Sequence, residues 1–167
     1  NTHEPARLAA LQNVVEGLIS RGVPVDGVGH QTHIQIFWPS LDEIRDSIQI
    51  FARMGLDNQV TELDVSAYSD ATNTAPVSEE TLVQQGYRYR DLFNLFRELK
   101  DSISVVTLWG LGDDGSWLKT FPITRDDKPL LFDEQLQAKH AYWGIVDPLR
   151  LPVIPKTLQV VKGTAKI

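Results

Sequence analysis

The sequence predicts an α/β domain in which helices cover a sheet of parallel strands, and three observations carry the prediction. Apolar residues recur at helical spacing in some segments and at every second position in others, and the two periods alternate along the chain. The segments run in the order helix, strand, helix, strand, helix, strand, helix. Each strand-like run is short and rich in β-branched residues, and the helices between them suit right-handed crossovers joining parallel strands.

From Glu4 to Arg21, residues Leu8, Leu11, Val15, Leu18 and Ile19 share one helical face, with Pro5 tolerated in the first turn and Gly22 as a stop. Val23 to Gly29 reads as a short strand, followed by a polar loop, Gly29-His30-Gln31-Thr32-His33. Ser40 with Glu43 is a capping-box signature, and Leu41, Ile44, Ile48, Phe51 and Ala52 continue one helical face to Met54-Gly55. Val60 to Val65 is the second strand, and a polar loop runs to Val77. Ser78 to Lys100 follows as a helix with Leu82, Tyr89, Phe93, Phe96 and Leu99 inward. Ile103 to Trp109 is the third strand, Gly110 to Lys128 a long loop rich in Gly and Asp, and Glu134 to Ile145 a last helix closed by Pro148. Leu149 to Ile167, broken by Pro152 and Pro155, reads as a tail or linker with room for a short strand over Leu158-Gln159-Val160-Val161.

Composition narrows the function. With 167 residues the chain can bury one core, yet it falls short of the roughly 200 to 250 residues of large single-domain barrels. An apolar fraction of 42% and a charged fraction of 23% are those of an ordinary globular chain. A net charge of −6, with no cluster of Lys and Arg to offset it, argues against a nucleic-acid partner. The absence of cysteine excludes disulfides and thiolate chemistry. No stretch approaches the roughly 20 consecutive apolar residues of a membrane span, so no membrane partner is expected. A chain that opens on Asn1 and runs straight into helical pattern is expected to be a piece of something longer.

Chemistry concentrates at the ends of the strands. Period-two geometry puts Glu62 and Asp64 on one face of a β-prone run, which is costly unless that face meets water, a cation or hydrogen-bond donors. An exposed edge strand with its acids outward is the plain alternative. His30 and His33 stand just past the preceding strand, on the side of a parallel α/β sheet where ligands bind, and a histidine there can orient a carboxylate. Trp109 and Trp117 offer two flat apolar faces beside the same rim, suited to the C–H faces of sugars. Trp143 lies at helical spacing from Leu136 and reads as core, and Trp38 as a loop residue. Asp113-Asp114 suggests a cation loop but lacks calcium-loop spacing. No phosphate-binding glycine motif is present, and no cofactor is expected.

Three of these segments, in order, closely resemble glycoside hydrolase family 10, the endo-β-1,4-xylanases. Val25-Asp26-Gly27-Val28-Gly29-His30-Gln31-Thr32-His33 resembles that family's sixth strand, Val60-Thr61-Glu62-Leu63-Asp64 its seventh, and Val106-Thr107-Leu108-Trp109-Gly110 with Ser116-Trp117 its eighth. Lys128-Pro129-Leu130-Leu131-Phe132-Asp133 and Ala141-Tyr142-Trp143 resemble the closing loop and last helix. The resemblance runs from Asn1 to Pro148, which makes residues 1–148 the C-terminal portion of a catalytic barrel and 149–167 a tail.

It implies a (β/α)8 TIM barrel, of which this chain carries strands six to eight with their flanking helices. It also implies hydrolysis of xylan with retention by double displacement. Glu62 would attack the anomeric carbon, His33 would hydrogen-bond this nucleophile with support from Asp64, and Gln31, Trp109 and Trp117 would line sugar subsites. The family's acid/base glutamate follows an asparagine at the end of the fourth strand, and no Asn-Glu pair occurs here. About three-eighths of a barrel's strands are therefore in hand. The chain is expected to be unstable as an isolated monomer and to require a complementary N-terminal fragment, because a bare sheet edge and apolar face stay uncovered. Since xylan is an extracellular polymer too large to import, secretion is expected.

Two other readings compete. In one, His30, His33, Glu62 and Asp64 form a ligand cluster of a metal-dependent hydrolase, which elemental analysis would show. In the other, the chain is a non-catalytic xylo-oligosaccharide-binding fragment, which saturable binding without turnover would show.

Overall fold

The computed structural model describes residues 1–154. Helix α1 (Pro5–Ser20) carries proline in its first turn and ends at Gly22, whose φ of 75° suits glycine. The Gly22 N–H donates to the Ile19 carbonyl and the Val23 N–H to that of Leu18. Val23 is thereby tied to the helix end, and Pro24 has no N–H to give a ladder. Strand β1 (Gly27–His30) accordingly starts at Gly27 and not at Val23.

The expected polar loop is only a break in a strand. β1 pairs in parallel with the first half of β3 (Asp57–Ser66), its register ending at His30 opposite Val60. After Gln31 and Thr32 the chain resumes as β2 (His33–Gln35), with His33 opposite Asp64. Three steps along β1/β2 thus match four along β3, so β1 and β2 are two halves of one strand on the same edge of β3. Thr32 sits at the break with φ 65°, a costly conformation for a β-branched residue, and its hydroxyl donates to the His30 carbonyl. On the other edge of β3 lies β4 (Ile103–Leu108), also parallel. The three sequence-expected strands are therefore present in one parallel sheet, with β3 in the middle. That central position contradicts the edge-strand alternative for Glu62 and Asp64.

Helices α2 (Leu41–Arg53) and α3 (Glu79–Glu98) connect the strands. The capping box of α2 is complete: the Ser40 hydroxyl accepts from the Glu43 N–H at 3.1 Å, and the Ser40 N–H donates to the Glu43 carboxylate at 2.7 Å. Ile44 and Ile48 from α2 and Tyr89, Leu92, Leu95 and Phe96 from α3 close over Val60, Leu63 and Val65 of β3. Leu63, Val65, Tyr89 and Leu92 are fully buried, each such aliphatic side chain contributing about 1.5–3 kcal/mol relative to exposure. In α3 the inward face is carried by Val83, Tyr89, Leu92, Leu95 and Phe96, whereas the expected Leu82 and Phe93 are half-buried. A second cluster joins Val15 of α1 to Phe51 and Leu56.

The last helix is shorter than the pattern suggests: α4 spans His140–Val146, and Glu134–Lys139 is not helical. The Asp133 carboxylate accepts from the Gln135 and Gln137 N–H groups, which holds a turn and places Leu136 at φ 57°, exposed. The helical spacing between Leu136 and Trp143 is therefore accidental. Trp143 is half-buried and its ring is covered by the Arg150 guanidinium, so it is not core. α4 packs on α3 through Gly144 and Gly86, where a Cβ on Gly144 would stand 2.1 Å from the Gly86 carbonyl oxygen. Leu151 is buried and Tyr87 donates to the Pro152 carbonyl, so the start of the expected tail packs against α3. The expected strand at Leu158–Val161 lies outside the described residues. Among the described residues, no helix is long and apolar enough to cross a membrane.

Candidate active site

The C-terminal end of β3 brings its two acids to one histidine. The ladder is irregular here: Val60 pairs with Val106 but Leu63 with Leu108, so one extra residue is accommodated around Thr61 and Glu62. Leu63 and Val65 point into the core, leaving Glu62 and Asp64 on the other side. His33 Nε2 lies 3.0 Å from Glu62 Oε2, and His33 Nδ1 lies 2.9 Å from Asp64 Oδ2. Both partners are carboxylates, so with both acids ionised both ring nitrogens must donate, which describes an imidazolium. Burial opposes that charge, but the hydrogen bonds and charges of Asp64 and Glu62 outweigh it and hold the His33 pKa above the ordinary histidine value. Glu62 remains partly open to solvent, while Asp64 is 1% exposed.

The tryptophans complete one side of the site. Trp117 Nε1 donates to Asp64 Oδ2 at 2.8 Å, and its ring stands edge-on to His33 at 5.0 Å. Trp109 follows β4 directly, its N–H bonded to the Leu63 carbonyl, and its ring also meets His33 edge-on at 6.2 Å. Trp109 is 48% exposed, so most of one face is free. Gln31 is exposed beside the strand break, and its carbonyl accepts the Glu62 N–H at 3.0 Å. Glu62, Asp64, His33, Trp109 and Trp117 thus form one connected group, with Gln31 joined to it through the backbone.

His30 does not belong to this group. Its Nδ1 meets the Thr2 hydroxyl at 2.6 Å and its Nε2 meets Asn58 Oδ1 at 2.8 Å, so both nitrogens are taken inside the protein. A four-ligand cluster with His30, His33, Glu62 and Asp64 is ruled out by that placement. Asp113 is no cation ligand either: its carboxylate is buried and ion-paired to Lys139 at 2.7 Å. Burial pushes the Asp113 carboxyl up and the Lys139 ammonium down, and each is held back by the other. Lys139 also donates to the Lys128 and Leu130 carbonyls, and Asp113 accepts from the Leu130 N–H.

Further along the same loop, Asp127 accepts from Ser66 and the Ala67 N–H, pairs with Arg125 at 3.2 Å, and Arg125 covers the Tyr68 ring. The segment carrying Trp117 is therefore anchored at both ends. Sequence reasoning missed this clamp because its members are dispersed: Ser66 and Arg125 stand far apart in the chain, and neither has a distinctive spacing.

The chain matches the model of glycosyl hydrolase family 10 over residues 1–148. It belongs to that family. It is 46% identical over 156 residues to a thermostable celloxylanase of Thermoclostridium stercorarium, a match covering 90% of this chain and 40% of that protein. It is 45% identical to endo-1,4-beta-xylanase C of Paenibacillus barcinonensis over 89% of this chain and 14% of that protein. Among solved structures, xylanase B of Clostridium stercorarium superposes with a TM-score of 0.84 at 45% identity, covering 89% of this chain and 44% of that one. The chain spans less than half of the length of each of these relatives. Family 10 is built on the (β/α)8 barrel, and the broken strand β1/β2, then β3 and β4, are its strands six, seven and eight. The rim that carries Glu62 is the C-terminal face of that barrel.

Proposed function

We propose that this chain is the C-terminal part of a retaining endo-β-1,4-xylanase, supplying the nucleophile Glu62 and needing an N-terminal complement for the acid/base. The observation that carries the reading is the line Glu62–His33–Asp64 at the end of the central strand, with Trp109 and Trp117 on its flank. Xylanase relatives of clear sequence similarity support the substrate.

In this reading His33 donates to Glu62 Oε2, which orients the carboxylate and leaves Oε1 to attack the anomeric carbon. Asp64 fixes the ring and balances the imidazolium charge. Trp117 and Trp109 hold the apolar faces of the xylose units, and Gln31 meets their hydroxyls. A second carboxyl group about 5–5.5 Å from Glu62 protonates the leaving oxygen, then activates the water that releases the glycosyl-enzyme. That group comes from the N-terminal half of the barrel. Because the polymer is too large to import, the enzyme acts outside the cell.

The test is to treat the complemented barrel with a 2-fluoro-xylobioside bearing a good leaving group and to map the label by peptide mass spectrometry. Label on Glu62 is expected. Label on another carboxylate of this chain overturns the nucleophile assignment. Saturable binding of xylo-oligosaccharides with neither label nor turnover replaces the catalytic reading with that of a binding fragment.

A further inference from the structure

Trp117 does not hold its position by the Asp64 hydrogen bond alone. The Phe121 ring stacks on it, with centroids 5.3 Å apart and planes inclined by 21°, while Phe121 itself is 59% exposed. The backbone sets the turn that brings the two rings together. The Phe121 N–H donates to the Trp117 carbonyl at 3.1 Å, and the Arg125 N–H closes the loop onto the Lys119 carbonyl at 3.1 Å. Both ends of this loop are fastened, at Asp113–Lys139 and at Asp127–Ser66. At its N–H edge the Trp117 indole donates to Asp64, and its ring also meets His33.

We propose that Phe121 is a positioning residue for catalysis: its ring clamps Trp117 so that the indole N–H stays on Asp64, and through Asp64 and His33 it fixes the aim of Glu62. This rests on the xylanase reading above. The ring partner of Phe121 is Trp117, and in this proposal its effect passes through that indole. Its exposure also means that little core packing is lost when the ring is removed. Removing it should therefore impair the site much more than the fold.

The test compares wild type, Phe121→Ala, Phe121→Tyr, Trp117→Phe and the double variant Phe121→Ala/Trp117→Phe, each in the complemented barrel. Two quantities are read: kcat/KM on an aryl xylobioside, and hydrogen exchange of the Trp117 indole N–H by NMR, its resonance assigned by loss in Trp117→Phe. Phe121→Ala should lower kcat/KM roughly fivefold, the scale of one lost aromatic pair, and should speed the indole exchange. Phe121→Tyr should restore both, since the ring is kept. In the Trp117→Phe background the same alanine substitution should change kcat/KM much less, because the N–H it guards is gone.

Wild-type indole exchange in Phe121→Ala, or an equal loss of kcat/KM in both backgrounds, overturns the proposal. If wild type itself cleaves no xylobioside, the xylanase reading fails, while the exchange comparison still decides whether Phe121 holds Trp117.

Discussion

His30 and His33 stand three residues apart on one broken strand, and each is gripped through both ring nitrogens by β3 and its surroundings. At the lower end, His30 lies between the Thr2 hydroxyl and the Asn58 amide, both neutral, and burial holds its pKa below the ordinary value. At the upper end, His33 lies between two carboxylates, and despite burial its pKa is raised. The backbone, the strand and the number of partners are alike. The charge of the partners decides the direction: neutral partners leave burial to lower the pKa of His30, and two carboxylates raise that of His33.

The sharpest way to break this contrast is to neutralise the upper end. Asp64→Asn keeps the shape of the side chain but removes the charge that supports the His33 imidazolium. Turnover should fall roughly 100-fold or more, on the scale of losing a positioned acid–base partner. The His33 titration, followed by NMR, should move down toward the ordinary value. A variant with His33 still titrating above that value would show that Glu62 alone sustains the charge. The lower end answers to a different measurement. Asn58 is fully buried, bridges His30 to the Ser102 carbonyl and also donates to that of Leu56. Asn58→Ala should cost about 1–3 kcal/mol of unfolding free energy in a urea titration, because buried partners are left unpaired. The kcat per folded molecule should stay unchanged, and a loss of kcat at unchanged stability would place Asn58 in the site instead.

The upper end was far more legible in the sequence than the lower. Glu62, Asp64 and His33 were readable because charged residues inside a β-prone run demand a reason, and a strand's two-residue period places both acids together. Asn58 carries no such signal, for the complementary reason: Asp57-Asn58-Gln59 breaks the apolar pattern, so the spacing places the start of β3 at Val60, yet it begins at Asp57. A buried amide whose partners lie 28 and 44 residues away leaves no local trace. Local chemistry also decided the helices. Ser40 and Glu43 announce α2 because capping is written within four residues, whereas the helical spacing after Asp133 misleads because Leu136 adopts a positive φ and the Asp133 carboxylate takes the Gln137 N–H that a helix would give to a backbone carbonyl. Trp117 stands out in the sequence as a flat apolar face beside the rim, but its stacking on Phe121 depends on a loop anchored by residues from two other parts of the chain.

Acidification extends the comparison to His3. That ring is 4% exposed, stands edge-on to Trp38 at 4.7 Å and is lowered from 6.5 to about 4, chiefly by burial. A histidine whose folded pKa is depressed binds protons more readily in the unfolded chain, so its stabilising contribution is present above the unfolded value and is lost as pH falls toward the folded one. His3 and His30 should both destabilise the fold on acidification below about pH 6.5, with a slope of at most about 1.4 kcal/mol per pH unit for each ring. His33 works in the opposite sense: its raised value supports the fold at low pH, and that support fades as pH rises through the folded pKa. His3→Leu should therefore flatten the fall in urea midpoint between about pH 6.5 and 4 while leaving the His33 titration in place. An unchanged slope would mean that His3 titrates alike in the folded and unfolded protein, and the contrast between lowered and raised histidines would then hold only along the broken strand β1/β2.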